Sequence, residues 1–192
     1  MDERQKSPRA KRLIDATFID LLEEKGFYAT RITEIIKRAE ISRTTFYAHY
    51  QDKYELIAEM RDTMLNGFID TMKGVRQKGI INVRNYDYGS APLHTEYFLY
   101  VQQNARLWSI FLAGKGESDF SQRFTSKIAD FLYDTSNIWE PTDPHMPKEV
   151  ASNIGAWTTV GLISSWVSGG MREPPQEMGR HLALFWKRIL SW

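Results

Sequence analysis

Arg43, Thr44, Thr45, Tyr47 and His49 stand within one short stretch of the chain. The set offers a guanidinium, two hydroxyls, a phenol and an imidazole, and no carboxylate interrupts it. Side chains of these types bond base edges and phosphate oxygens, so a helix carrying them suits the major groove of DNA. Catalytic constellations are missing by comparison. The four histidines are His49, His94, His145 and His181, and none has the spacing of a metal-ligating pair. No nucleophile-elbow or phosphate-loop pattern occurs. The chain is therefore read as a non-enzyme with no metal and no cofactor.

These side chains need a scaffold that holds them outward. Ser42 is a natural N-cap for a helix running to about Tyr50, with Phe46 and Tyr50 on its buried side. The preceding helix carries Ile32, Ile35, Ile36 and Ala39 on its inner face, and Thr30 is its expected cap. Residues 40–42 form the turn between them. Ser7-Pro8 starts an earlier helix whose apolar positions are Ile14, Phe18, Leu21 and Leu22, and Lys25-Gly26 ends it. Asp52 with Glu55 opens a fourth helix, whose stripe Leu56, Met60, Met64, Phe68 and Met72 continues to about Lys73. Two short helices joined by a tight turn, the second rich in groove-reading groups, is the helix-turn-helix layout.

The length of 192 residues allows one ordinary domain or two small ones, and a hydrophobic fraction of 42% with six Trp favours a packed core. There is no cysteine, hence no disulfide framework. No apolar run approaches the roughly 20 residues needed to span a bilayer. The first residues lack the apolar segment of a signal peptide, so a cytoplasmic location with no membrane partner is expected. Net charge is only +1. Positive charge is concentrated at Arg4, Lys6, Arg9, Lys11 and Arg12, which either form a solvated terminus or touch DNA phosphates.

The stretch FYATRITEIIKRAEISRTTFYAHYQDKYEL, residues 27–56, resembles the TetR/AcrR family of transcriptional regulators. The positions that carry the likeness are Gly26, Thr30, Ile35, Ala39, Ile41, Ser42, Phe46, Tyr47, His49, Tyr50, Lys53 and Leu56. One departs from the family pattern: Glu40 occupies a turn position that is usually Gly, and a positive φ there would strain it. The resemblance implies that Arg43 and Thr44 read base edges. It implies that Thr45, Tyr47, His49 and Lys53 hold phosphates, with Thr30 and Thr33 near the opposite edge of the groove.

Beyond the fourth helix, residues 74–92 read as a fray and a loop whose order the sequence leaves open. Leu93 to Ala113 reads as one aromatic-rich helix, broken by GKGES at 114–118. A further amphipathic helix carries Phe120, Phe124, Ile128, Phe131 and Leu132. After the proline-rich loop 141–147, an apolar helix from Lys148 to about Ser168 and a last helix from Pro175 or Gln176 complete the chain. Nothing reads as a strand pair. The expected fold is all-α: a three-helix head, residues 1–51, joined by a long helix to a helical ligand-binding and dimerisation body, residues 52–192. The segment EYFLYVQQNARLWSIFLAGKGESDFSQRF, residues 96–124, also resembles the C-terminal region of one TetR subgroup.

A single reading helix covers few base pairs, so a homodimer on a palindromic operator in double-stranded DNA is expected. Its interface is sought on the last two helices, at Gly155, Thr158, Leu162, Ser165, Leu182, Phe185 and Trp186. The family resemblance implies regulation, most often repression, released by a small-molecule effector of unstated identity in the body. Tyr97, Tyr100, Trp108, Phe111, Trp139 and Trp157 either line its pocket or simply fill the core, with His94 and Glu96 near the mouth. Control by a protein partner in place of a small ligand is the alternative.

Overall fold

The computed structural model of the protein describes residues 7–77, 92–116, 119–135 and 145–190. Within them the chain is helical, in the order α1 (Pro8–Ala29), α2 (Ile32–Arg38), α3 (Arg43–His49), α4 (Lys53–Gln77), α5 (Pro92–Gln103), α6 (Ala105–Leu112), α7 (Phe120–Asp134), α8 (Lys148–Ser168) and α9 (Pro175–Leu190). No strand occurs among the described residues, and no helix there is long and apolar enough to cross a membrane. Trp139, the loop 79–91, and Arg4 and Lys6 lie outside the described residues.

Local chemistry sets several of the helix ends in the first part of the chain. The Ser7 hydroxyl accepts a hydrogen bond from the Ala10 amide at 3.2 Å, with Pro8 in the first turn. Gly26 interrupts α1 at φ 78°, the left-handed region that glycine enters without steric penalty. Asp52 accepts from the amides of Tyr54 and Glu55, each at 2.8 Å, and so caps α4. Two expectations need correction. Thr30 does not cap α2, because Arg31 holds that position and Thr30 instead closes α1, its hydroxyl donating to Gly26 O at 2.8 Å. The aromatic-rich helix is two helices, because the backbone departs from helical geometry at Asn104 (φ −113°, ψ 27°), whose side-chain amide donates to Tyr100 O at 2.9 Å.

The first three helices bury Ile14, Phe18, Leu22, Phe27, Ile35 and Phe46 against one another. In the body α5 packs on α9, α7 on α8, and α4 lies against both α5 and α7. Phe68 of α4 sits at the centre of an aromatic cluster, with ring centroids 5.6 Å from Tyr97, 5.8 Å from Trp108 and 5.0 Å from Phe124. Trp108 and Phe111 continue it onto Phe120 at 5.8 and 4.8 Å. These edge-on and offset contacts suit the ring quadrupoles.

Head and body meet at the end of α1. The Phe27 amide donates to Lys115 O at 2.8 Å, and the Lys115 ammonium donates to Glu23 O at 2.8 Å. Arg106 of α6 reaches Glu23 at 2.9 and 2.7 Å and Asp20 at 2.7 Å. The Gly-Lys-Gly break after α6 thus forms part of the seat on which the head rests.

Candidate nucleic-acid interface

The turn before α3 explains how the reading helix is aimed. α2 ends at Ala39, and Glu40 then adopts φ 53°, so the strained alternative raised by the sequence is the one realised. Ile41 N donates back to Ile36 O at 3.2 Å, which closes the helix end and reverses the chain. Ser42 then caps α3, its hydroxyl accepting from the Thr45 amide at 3.0 Å. Phe46 and Tyr50 are buried and fasten the inner side of α3.

Tyr50 is also tied by polar contacts. Its hydroxyl donates to Asp15 at 2.8 Å and accepts from the Lys11 ammonium at 2.7 Å. Lys11 also pairs with Asp15 at 3.0 Å and Glu59 at 2.9 Å. Burial opposes the Lys11 charge, yet its bonds to Tyr50, Glu59 and Asp15 hold its pKa above the ordinary lysine value. Burial, followed by the Asp15 contact, raises the Tyr50 phenol although Lys11 opposes this. The basic cluster at the start of the chain is therefore divided in use. Lys11 serves the interior of the head, whereas Arg9 and Arg12 remain exposed.

The outer face of α3 carries Arg43, Thr44 and Tyr47, all exposed, with Tyr47 at 54%. Thr33 of α2 is exposed as well. Thr45 is half-buried, and its hydroxyl shares a hydrogen bond of 2.8 Å with Ser42. His49 is half-buried, with Nε2 sealed from solvent and unpartnered.

Two expected phosphate contacts are used differently. Thr30 is fully buried, its hydroxyl engaged on Gly26 O, so it cannot reach a phosphate. The Lys53 ammonium donates to Phe27 O at 2.9 Å, Thr30 O at 2.8 Å and, more weakly, Tyr28 O at 3.4 Å. It stands over the Phe27 ring, 4.5 Å from the centroid. An ammonium has three donors, and three carbonyls already accept from this one. Burial lowers its pKa. Lys53 thereby locks the end of α1 to the start of α4.

The body residues also separate. Tyr97, Trp108 and Phe111 are buried in the aromatic cluster. Tyr100 is half-buried, and its hydroxyl donates to Met64 O at 2.8 Å, where Gly67 leaves room for it. Trp157 is 59% exposed on α8 and is not part of that cluster. Gly155, Leu182 and Trp186, expected between subunits, lie inside the protomer. A Cβ on Gly155 would stand 2.1 Å from the Trp186 ring, so the missing side chain lets α9 approach α8 within one chain. Thr158, Leu162 and Phe185 are half-buried and Ser165 is exposed. The sequence reading missed Val150, Ile154 and Leu184, which are exposed apolar residues on α8 and α9.

Comparison with known proteins agrees with this architecture. Residues 13–60 match the family described as bacterial regulatory proteins, tetR family, and residues 91–187 match a transcriptional regulator C-terminal region. An uncharacterised HTH-type transcriptional regulator of Bacillus subtilis strain 168, YxbF, is 22% identical over 178 residues, covering 92% of this chain and 44% of that protein. The chain thus spans less than half the length of that relative. Among solved structures, NalD of Pseudomonas aeruginosa, the secondary repressor of the MexAB-OprM multidrug efflux pump, superposes with a TM-score of 0.74 at 20% identity, covering 97% of this chain and all of that one. A putative TetR-family regulator of Syntrophomonas wolfei gives 0.70 at 18% identity, with 95% of each chain covered. At these identities the likeness is one of fold. The paired sequence matches and the helix-turn-helix built from α2 and α3 together identify the chain as a member of the TetR family of transcriptional regulators.

Proposed function

We propose that the protein is a homodimeric repressor that binds a palindromic operator and is released by a small molecule held in its body. The division of labour is residues 1–51 for DNA and residues 52–192 for dimerisation and ligand. The observation that carries this reading is the division of α3 into two faces. Phe46 and Tyr50 anchor it inward, while Arg43, Thr44 and Tyr47 stand free and outward. Arg43 and Thr44 read base edges; Thr33, Thr45, Tyr47 and His49 form the phosphate set. Lys53 acts by positioning α4 against α1.

The dimer face is assigned to the outer line Ile154, Thr158, Leu162 and Ser165 of α8 with Leu184 and Phe185 of α9, of which Ile154, Ser165 and Leu184 are exposed. Apolar side chains exposed along adjacent helices are the surface that a second copy would cover. The repressing sign takes its support from NalD, which is a repressor and shares the fold. The small-molecule reading rests on two polar atoms beside the aromatic cluster. Trp108 Nε1 and His94 Nδ1 are buried without hydrogen-bond partners among the described residues, and such orphaned groups call for a partner. A largely apolar ligand with a hydrogen-bond acceptor would satisfy Trp108, and a neutral His94 can donate or accept.

Selection of retained sequences from a random duplex library tests the reading. Recovery of one inverted repeat is the expected result. Recovery of no preferred sequence overturns it.

A further inference from the structure

Outside the aromatic cluster, α7 and α8 enclose a surface groove of about 560 Å³ whose lining includes Asp130, Tyr133, Glu149, Ser152, Asn153 and Trp157. Four features of it point the same way. Asp130 and Glu149 have no ion-pair partner among the described residues. Trp157 is exposed and makes no ring or cation contact among the described residues. Ser152, a residue only 1% exposed, lines the groove, and its hydroxyl has no hydrogen-bond partner among the described residues. The ring of Tyr133 already holds an ammonium, that of Lys148, 4.0 Å from its centroid.

Two carboxylates that form no ion pair among the described residues, beside an open indole, are the groups that recognise an organic cation. The carboxylates supply the counter-charge and the indole face supplies the quadrupole. The buried hydroxyl adds one polar anchor at the floor. A phosphate or carboxylate ligand is disfavoured by the same two charges. Lys148 over Tyr133 occupies one aromatic face of the groove and leaves the other, Trp157, vacant.

We propose that the α7–α8 groove is a binding site for an organic ammonium ion, a protonated amine or quaternary ammonium with an apolar body, seated on Trp157 between Asp130 and Glu149. Glu149, Asn153 and Trp157 recur every four residues along the α7 side of α8. Ile154, Thr158, Leu162 and Ser165 follow a neighbouring line of the same helix. The site is separate from the DNA-reading face, and its test does not involve DNA.

The experiment is calorimetric titration of the full chain with benzyltrimethylammonium chloride, and with benzyl alcohol as an uncharged aromatic control. The cation is expected to bind once per chain, and at least about tenfold more tightly than the alcohol. The exposed-site double variant Asp130→Asn, Glu149→Gln is expected to weaken the cation about tenfold or more, and Trp157→Ala about fivefold, with unchanged circular dichroism. Absence of heat from the cation, equal affinity for cation and alcohol, or unaltered affinity in both variants overturns the proposal. It is also overturned if Trp157→Ala shifts the sedimentation of the protein while the cation fails to bind, because Trp157 then belongs to a subunit contact.

Discussion

The ammonium of Lys53 donates to the main-chain oxygen of Thr30 at 2.8 Å, across the junction between the first helix and the fourth. The helix that leads into the body is thereby bound to the frame that carries the reading helix. Lys53→Ala removes donors from three carbonyls at the end of α1 and should destabilise the protein by about 1–2 kcal/mol. Because this ammonium faces the protein, the slope of log affinity against log salt on DNA should stay unchanged. A slope shallower by about 1 would return Lys53 to the phosphate set.

Arg43 is exposed at the first turn of α3 and forms no ion pair among the described residues. Arg43→Ala should lower discrimination at one base-pair position of the selected operator by roughly 1–3 kcal/mol. Competition binding with single-position operator variants measures it. An equal loss on every sequence would reduce Arg43 to a backbone contact.

Glu40 holds φ 53° without the freedom of glycine. A left-handed L-residue costs roughly 1–2 kcal/mol, and glycine returns part of this gain through the entropy of the unfolded chain. Glu40→Gly should therefore stabilise by about 0.5–1 kcal/mol and raise Tm by about 1–4 °C. A thermal melt showing a lower Tm would mean that the Glu40 side chain contributes more than its backbone strain removes.

Burial pushes His94 down to about 4 from the ordinary histidine value near 6.5. The unfolded chain then binds a proton that the folded chain refuses in this interval. The neutral histidine's contribution is complete above about pH 6.5 and is lost as pH falls toward 4. Between pH 6.5 and 4.5 the loss should be about 2–3 kcal/mol. Urea denaturation at fixed protein concentration, compared with His94→Phe, isolates it: the variant should lose less stability over that interval. Parallel losses would clear His94 of the effect.

Ile154 is 40% exposed on the outer line of α8. Ile154→Glu puts a charge on the face assigned to the second copy. Sedimentation should show a monomer, and affinity for the inverted repeat should drop by about 10²-fold or more as the two heads cease to bind as one unit. A variant that stays dimeric would move the interface elsewhere.

Most of the helix order, the all-α class and the family were legible in the chain because each depends on neighbours a few residues apart, the break at Asn104 being the exception. Ser7-Pro8, Gly26, Ser42 and Asp52 act through backbone groups two to four positions away, and the turn strain at Glu40 needs no distant partner. What Lys53, Thr30 and Gly155 do was set by the tertiary structure. Lys53 and Thr30 resemble surface polar residues until α4 meets the end of α1, and only then does one become a cap and the other a buried anchor. α8 is apolar on nearly every side, so periodicity says little about which side faces α9. The approach of Trp186 to Gly155 decides it, turning Gly155 inward and leaving Ile154 and Trp157 to solvent. Short-range hydrogen bonding is written in the sequence, whereas the choice among several buriable faces is made when the helices pack.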